Sequence, residues 1–426
     1  MTADVAARKA YHLWYDDHAI ESLCYANSTD GYAWHKPELG LVDLGGTIGT
    51  KNNVVRQGGG IGVYVDDRNP AVANGSVHKF KAVGALKHST SADGGTMESA
   101  DGLHWNVVQE LPFPDPPQRY DTANNVMYDA ALDRYVLTTR RHPTTSPSDA
   151  DRAIGVALSV EGEGFKFDSS LTPPLIAQGT HDHQLYAQVT WKWAGVYLGI
   201  VMVYDATNKV TNQVHCRLAY SKSATPQEGW GWVDPGGLTG MDLIPLGKGS
   251  WPGRNEFDSH LCYASVPVKT PTAERLYYMG SNGKHSGSKP HRNASLGLAL
   301  LRPDGYAGLA GSGNITTQPI VVAQETLLIT ADILDASPVH TNSVSPATAS
   351  TTSYVRVGIR RALPSGGGGE WVQGLSPADC TPIQTNGTDV EVVFASGATL
   401  KAVLGKAVVV VFELHGTGAR VYTLTL

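Results

Sequence analysis

Four short stretches of this chain bring carboxylates together with amides or imidazoles: Asp66-Asp67-Arg68-Asn69-Pro70, Asp121-Thr122-Ala123-Asn124-Asn125, His181-Asp182-His183 and Asn255-Glu256-Phe257-Asp258-Ser259. Several carboxylates around one pocket suit cleavage of a glycosidic bond. That reaction needs a protonated acid for the leaving oxygen and a carboxylate as base or nucleophile, and a third acid can hold their pKa values apart. Glu256 and Asp258 are two apart and would face one side of a strand. Asp121 follows Arg119-Tyr120, so a structural ion pair competes with a catalytic role. Asp66 to Pro70 suits an ordinary turn as well as a site. His181 and His183 would point to one face of a strand and permit metal binding, but no further ligand spacing supports it. The expectation is therefore Asp121 and Glu256 as the acid and base pair and Asp258 as a third catalytic carboxylate. Asp66, Asn124, Asn125 and His183 are expected as substrate ligands, with no metal and no cofactor.

Such residues need a scaffold that converges them, and a recurrent turn supplies the clue. Runs of β-forming residues end in Ser28-Thr29-Asp30-Gly31-Tyr32-Ala33-Trp34, in Ser99-Ala100-Asp101-Gly102-Leu103-His104-Trp105, and in a weaker Ser159-Val160-Glu161-Gly162-Glu163-Gly164-Phe165. A loosened copy runs from Ser221 to Trp230 and Trp232, and Arg302-Pro303-Asp304-Gly305-Tyr306 gives another. Asp-Gly supplies the positive φ of a tight turn. A spacing of roughly 60 to 80 residues suits four-stranded propeller blades with functional loops. Opening strands are expected near Gly62–Asp66, Thr122–Tyr128, Leu185–Val189 and Leu261–Ser265, and their polar starts would meet at one axial pocket. Met1 to Lys9 reads as a polar or helical leader, so the first blade is expected to be incomplete and the chain to begin inside it.

After Gly311 the turn signature stops, and apolar segments at Pro319–Ala323, Thr326–Ala331, Tyr354–Arg360, Val390–Phe394 and Ala407–Leu414 alternate with Gly- and Ser-rich joints. The expected architecture is all-β: a five-bladed β-propeller over residues 1–311 followed by a β-sandwich over 312–426.

With 426 residues, 47 Gly and 24 Pro, the chain is long enough for a large β domain and a smaller one. A net charge of −6 gives no basic field for phosphate backbones, which argues against a nucleic-acid partner. The apolar run Val408-Val409-Val410-Val411-Phe412 is far short of the roughly 20 residues that span a bilayer, so a soluble protein is expected. Cys24, Cys216, Cys262 and Cys380 show no Cys-x-x-Cys spacing, which argues against zinc and leaves buried free thiols as the expectation. Sequons at Asn27, Asn74, Asn293, Asn314 and Asn386 hint at export, which would require a segment before Met1.

The array Trp14-Tyr15, Cys24-Tyr25-Ala26, Ser28-Thr29-Asp30-Gly31 and Trp34, with Lys36-Pro37-Glu38-Leu39-Gly40-Leu41 and Lys51-Asn52-Asn53-Val54-Val55, resembles the five-bladed propeller superfamily of glycoside hydrolases. That superfamily holds families 32 and 43, the invertases, levansucrases, arabinanases and xylosidases. Tyr120-Asp121-Thr122-Ala123-Asn124-Asn125, Glu256-Phe257-Asp258-Ser259 and Gly305-Tyr306 extend the resemblance, and Gly374-Leu375-Ser376-Pro377-Ala378-Asp379-Cys380 looks like the sandwich that follows the propeller. The resemblance implies a carbohydrate partner and hydrolysis by axial carboxylates. The chain departs from the family in lacking an early Asn-Asp-Pro-Asn-Gly and a first inner strand bearing an Asp. Two other classes stay open: a glycan-binding propeller that has lost its chemistry, and a polysaccharide lyase in which His183 or a Tyr abstracts a proton.

Overall fold

The computed structural model describes residues 2–4, 10–17, 19–67, 69, 72, 75, 78–86, 93–112, 123–142, 151–168, 175–207, 212–225, 229–249, 256–283, 285, 293–333 and 352–426. The protein is nearly all β, and its contacts divide it into two compact units, Met1–Val268 with Arg275–Ala299, and Lys269–Glu274 with Leu300–Leu426.

In the first unit, antiparallel sheets follow one another along the chain. Sheet A holds β1 (Thr2–Asp4), β2 (Ala10–Asp17), β3 (Ser22–Ser28) and β4 (Val54–Gln57). Sheet B holds β5 (Gly62–Val65), β6 (Phe80–Ala85), β7 (Asp93–Ser99) and β8 (Asn106–Pro112). Sheet C holds β9 (Asn125–Asp129), β10 (Arg134–Arg141), β11 (Ala153–Leu158) and β12 (Leu175–Gln178). An eight-stranded sheet D combines two sets: β13 (His183–Trp193), β14 (Val196–Asp205), β15 (Val214–Ser221) and β16 (Gly231–Trp232), then β17 (Leu261–Ala264), β18 (Val268–Lys269), β19 (Glu274–Ser281) and β20 (Ala294–Leu301). The two sets join at the parallel pair Val214 and Leu261.

Middle strands such as β14 are buried along almost their whole length. Both of their faces are covered, which is why Val-Tyr-Leu-Gly-Ile-Val-Met-Val reads as a continuous apolar run and not as an alternation. Clusters of buried side chains lie between successive sheets: Trp14, Leu23, Tyr25, Ile61 and Met97 join A to B, and Val83, Val126, Tyr128, Tyr135 and Phe165 join B to C.

Two readings of the sequence are corrected. Thr2–Asp4, assigned to a polar leader, pairs with β2 through Thr2–His12, Ala3–Tyr11 and Asp4–Ala10; backbone pairing needs no apolar side chain, so composition gave no sign of it. Cys216 and Cys262, expected as free thiols, form a disulfide with Cα atoms 5.8 Å apart, while Cys24 and Cys380 are free and buried. The parallel contact of β15 with β17 sets them side by side, and nothing in their sequence spacing signals it.

The second unit contains β21 (Leu309–Ala310), β22 (Gly313–Thr316), β23 (Ile320–Val321), β24 (Leu328–Ile333), β25 (Tyr354–Ala362), β26 (Gly368–Trp371), β27 (Gly387–Glu391), β28 (Ala407–His415) and β29 (Ala419–Thr425). One sheet runs β21-β29-β24-β27; the other runs β22-β28-β25-β26 with β23 beside β28. Both contribute to one core, with Ile329 and Ile333 from the first and Val355, Val357, Val410 and Phe412 from the second. Alternation is visible in β25, where Val355, Val357 and Ile359 are buried while the Arg360 guanidinium lies 4.2 Å from the Trp371 ring on the other face.

Candidate functional site

Because successive strands of each sheet are antiparallel, the start of the first strand and the finish of the second lie at the same end of that sheet. Contacts between sheets then bring these ends together. The Asp16 carboxylate, at the finish of β2, accepts the Gly60 N–H at 2.8 Å just before β5. The Asn124 amide, just before β9, donates to the Gly60 carbonyl at 2.6 Å. Leu185 N–H in β13 donates to the Arg152 carbonyl before β11, and Val214 N–H to the His260 carbonyl before β17. This strand-start end carries Asp16, Asn124, Arg140, Arg152, Gln184, Tyr204, Asn212 and His260.

The opposite end carries the recurrent turns. Gly31 N–H and Gly102 N–H each donate to the hydroxyl of the leading serine, Ser28 or Ser99, at 2.8 Å. Asp30 and Asp101 each accept the two N–H groups that follow their glycine, within 2.7 to 2.9 Å. The same bonds in both copies make the repeat a physical one. An aromatic donor from the neighbouring sheet then reaches each glycine carbonyl: Trp14 Nε1 donates to Gly102 at 2.7 Å, and Tyr277 Oη to Gly31 at 2.9 Å.

At the strand-start end, sheets C and D build a cluster of cations and rings. The Arg140 and Arg152 guanidinium carbons both lie 5.1 Å from the Tyr186 ring centre, and Arg152 also lies 5.3 Å from Tyr204. Arg152 Nη1 donates to Gln184 Oε1 at 2.5 Å. The His285 ring meets Tyr186 edge-on at 4.7 Å and Tyr204 at 5.0 Å, and Tyr263 Oη lies 2.8 Å from His285 Nδ1. Tyr186 and Tyr263 pack edge to face at 5.5 Å, and the Tyr204 hydroxyl bonds the Asn212 side chain. Burial pulls the Arg140 pKa down, with the nearby Arg152 charge acting in the same direction and Tyr186 opposing it. An arginine nonetheless stays cationic. The set combines donors, acceptors and apolar ring faces, the groups that bind polyhydroxylated ligands.

Asp16 is a second ionisable feature of this end. Burial raises its carboxyl from 3.8 to about 7, against the lowering effect of the Gly60 and Ile61 N–H groups. Its Oδ1 is buried with no hydrogen-bond partner among the described residues.

The residues singled out from sequence fall into different places. Asp121 lies outside the described residues. Asn124 and Asn125 sit at the strand-start end, where Asn124 Oδ1 accepts from Thr139 Oγ1 at 2.7 Å and Asn125 Oδ1 from Thr190 N–H at 2.8 Å. His183 opens β13 and is half-buried, its backbone N–H donating to Thr180 Oγ1. Glu256 is exposed, and its Oε2 accepts Lys248 N–H at 2.7 Å. Asp258 is buried and accepts the Tyr278 hydroxyl at 2.6 Å; burial of Tyr278 and, after it, this bond to a carboxylate raise the Tyr278 pKa. Glu256 and Asp258 share one turn, through Ser259 N–H donating to the Glu256 carbonyl.

Asp66 is placed elsewhere. It follows the finish of β5, at the end of the Ser-x-Asp-Gly turns, fully buried and accepting the Tyr135 hydroxyl at 2.6 Å. Tyr135 pairs with Tyr128 while Asn125 pairs with Thr138, so about three residues of strand, or roughly 10 Å, separate Asp66 from Asn125 along sheet C. Asp129, at the finish of β9, holds the equivalent position and accepts the Tyr197 hydroxyl. Among the described residues, no group of His, Cys, Asp and Glu is placed to hold a metal ion, and no helix is long and apolar enough to cross a membrane.

Sequence reasoning passed over Arg140, Arg152, Tyr186, Tyr204, Tyr263 and His285. The available signal was Arg140-Arg141-His142 closing an apolar strand and a Tyr near the rim of β13, β14 and β17, positions that core aromatics also occupy.

No family model matches the chain, and no curated protein matches it in sequence. Solved structures similar to it include an N-acetylgalactosamine deacetylase from F. plautii in complex with blood group B trisaccharide, at 14% identity and a TM-score of 0.44, covering 70% of this chain and 86% of that one. A thermostable family-43 glycoside hydrolase is 10% identical with a TM-score of 0.43, covering 69% and 89%. A xylan beta-1,4-xylosidase from Bacillus halodurans C-125 is 10% identical with a TM-score of 0.39, covering 98% of this chain and 96% of that one.

Proposed function

We propose that residues 1–311 form a five-bladed propeller and 312–426 a β-sandwich, and that the protein is a glycoside hydrolase acting at the strand-start end of the propeller. The observation that carries this reading is the convergence of Arg140, Arg152, Tyr186, Tyr204, Tyr263 and His285 from sheets C and D at one end of successive sheets. In this reading Asp121 and Glu256 are the acid and base, because Asp121 precedes β9 in sequence and Glu256 precedes β17, the strands that start at this end. Asn124, Asn125 and His183 would line the approach. Asp258, held by Tyr278, would fix the Glu256 turn, and Asp66 would serve the fold.

The test is turnover on a panel of plant, algal and microbial oligosaccharides. Glu256→Gln and Asp121→Asn should each cut kcat by about 10²–10⁴ with glycan binding largely kept, as expected for removal of a general acid or base. Full activity in both variants would exclude the pair.

A second reading is favoured by one contact. The Tyr263 phenol paired with His285 at 2.8 Å, in the cluster that holds Arg152, resembles what β-elimination beside a sugar carboxylate requires: a proton-transfer pair and a cation. A lyase would leave an unsaturated, ultraviolet-absorbing end, whereas a hydrolase leaves none.

A further inference from the structure

Arg152 is held in an unusual setting for a cation. Its Nη1 is used by Gln184, and its Nε is buried without a hydrogen-bond partner among the described residues. The rings of Tyr186 and Tyr204 flank it at 5.1 and 5.3 Å. Its sequence neighbour Asp151 pairs with His181 at 3.0 Å, and no described carboxylate forms an ion pair with Arg152. A second guanidinium, that of Arg140, lies 5.1 Å from the same Tyr186 ring. Ring faces and one amide oxygen stabilise a half-buried cation only in part, and a planar fork of N–H donors matches a carboxylate or sulfate with two parallel bonds. The Tyr186 ring that flanks this cation also packs against the rings of Tyr263 and His285, which bond each other through the Tyr263 hydroxyl, so ring faces and a phenol–imidazole pair could meet the apolar face and hydroxyls of a sugar.

We infer that Arg152, assisted by Arg140 and seated on Tyr186 and Tyr204, is a recognition site for the anionic group of an acidic sugar, so that the ligand of this end is a uronate or sulfated glycan and not a neutral one. The inference rests on the strand-start end being the glycan site and names the class of glycan it takes. Carboxylate and sulfate are recognised by the same fork, and the probes below separate them.

Calorimetry on the full chain would compare uronate tetrasaccharides of the gluco, galacto and manno series with their carboxyl-reduced counterparts, in which a neutral CH₂OH replaces the carboxylate. A sulfated galactan tetramer would be compared with its desulfated form. The expected result is at least one charged probe bound about tenfold or more tighter than its neutral counterpart. The preference should fall to about twofold or less in Arg152→Gln and be kept in part by Arg152→Lys, which retains the charge without the fork. The wild-type comparison stands alone if Arg152→Gln does not fold. Charged and neutral probes bound equally across the panel, or a full preference kept in a folded Arg152→Gln, would overturn the inference. Neutral oligomers bound and cleaved without preference would sink the anion site and leave the hydrolase reading intact. Preferential binding of a charged probe with no bond broken would do the reverse.

Discussion

Asp66 is a buried acid and Asp16 a half-buried one with a buried carboxylate oxygen, yet their surroundings ask opposite things of them. Asp66 has a phenol donor in Tyr135, whereas Asp16 has one oxygen on backbone N–H groups and one without a described partner. The folded pKa of Asp16, about 7, lies above its ordinary 3.8, so the fold favours the neutral acid. Its contribution is fully present at low pH, declines once the unfolded chain's Asp ionises above about pH 4, and is lost as pH rises through about 7. Asp16→Asn should therefore melt a few degrees above wild type at pH 8, with the gap closing toward pH 4; a gap that widens on acidification would contradict the burial argument. For Asp66 the expectation is structural. Tyr135→Phe should cost about 1–3 kcal/mol by leaving a buried acceptor short of a donor, with activity per folded molecule unchanged, as urea unfolding and specific activity would report. The residue scale is also where the sequence was least legible. Asp66 ends a strand much as a site residue would begin one, and Val-Tyr-Val-Asp carries no mark of direction within a sheet. Arg140 lies near the finish of β10 and Arg152 just before β11, and only the third dimension sets them around Tyr186.

At the scale of the turn, reading was far more successful, because the information is local. Ser28, Asp30 and Gly31 make their bonds within a few residues, as do Ser99, Asp101 and Gly102, so the recurrence in the sequence and the recurrence in space are one object. The glycines separate two costs. Gly102 and Gly162 have nearly the same left-handed φ, +78° and +75°. A Cβ on Gly102 would stand 2.6 Å from the Trp14 ring, whereas one on Gly162 would meet nothing within 4 Å. Gly162→Ala should cost only the conformational penalty of about 1–2 kcal/mol, and Gly102→Ala should add a packing cost of about 1–3 kcal/mol. Equal losses in denaturant midpoint would mean that the Trp14 contact yields freely. The Cys216–Cys262 pair was illegible for the converse reason: the pairing depends on how β15 and β17 meet and on nothing near either cysteine.

Over the whole first unit, the sheets are tied by a few long-range links. The disulfide closes a separation of 46 residues across the two halves of sheet D, a loop whose loss of unfolded-state entropy corresponds to roughly 4 kcal/mol. Reduction, or Cys216→Ser with Cys262→Ser, should lower the melting temperature by several degrees without altering the Arg152 cluster's ligand preference; an unchanged melt would show that the sheets need no covalent tie. All-β character and the succession of meanders were readable because strand alternation and Asp-Gly turns are properties of short windows. How the last meander meets the first was not, since no window contains both.

That last meeting has a consequence in time. The Tyr277 hydroxyl that covers the Gly31 carbonyl is 246 residues downstream of it, and Arg275 Nη1 reaches the Asp30 carbonyl across nearly the same span. A ribosome adding about 5–20 residues per second delivers that donor roughly 12–50 s after the turn it completes. For that interval Tyr11 and Trp34, whose partners in the finished unit include Val268 and Tyr277, stay uncovered on the nascent chain. The earliest-made sheet is thus the last to be sealed, and it is the segment that a chaperone would have to shelter during synthesis.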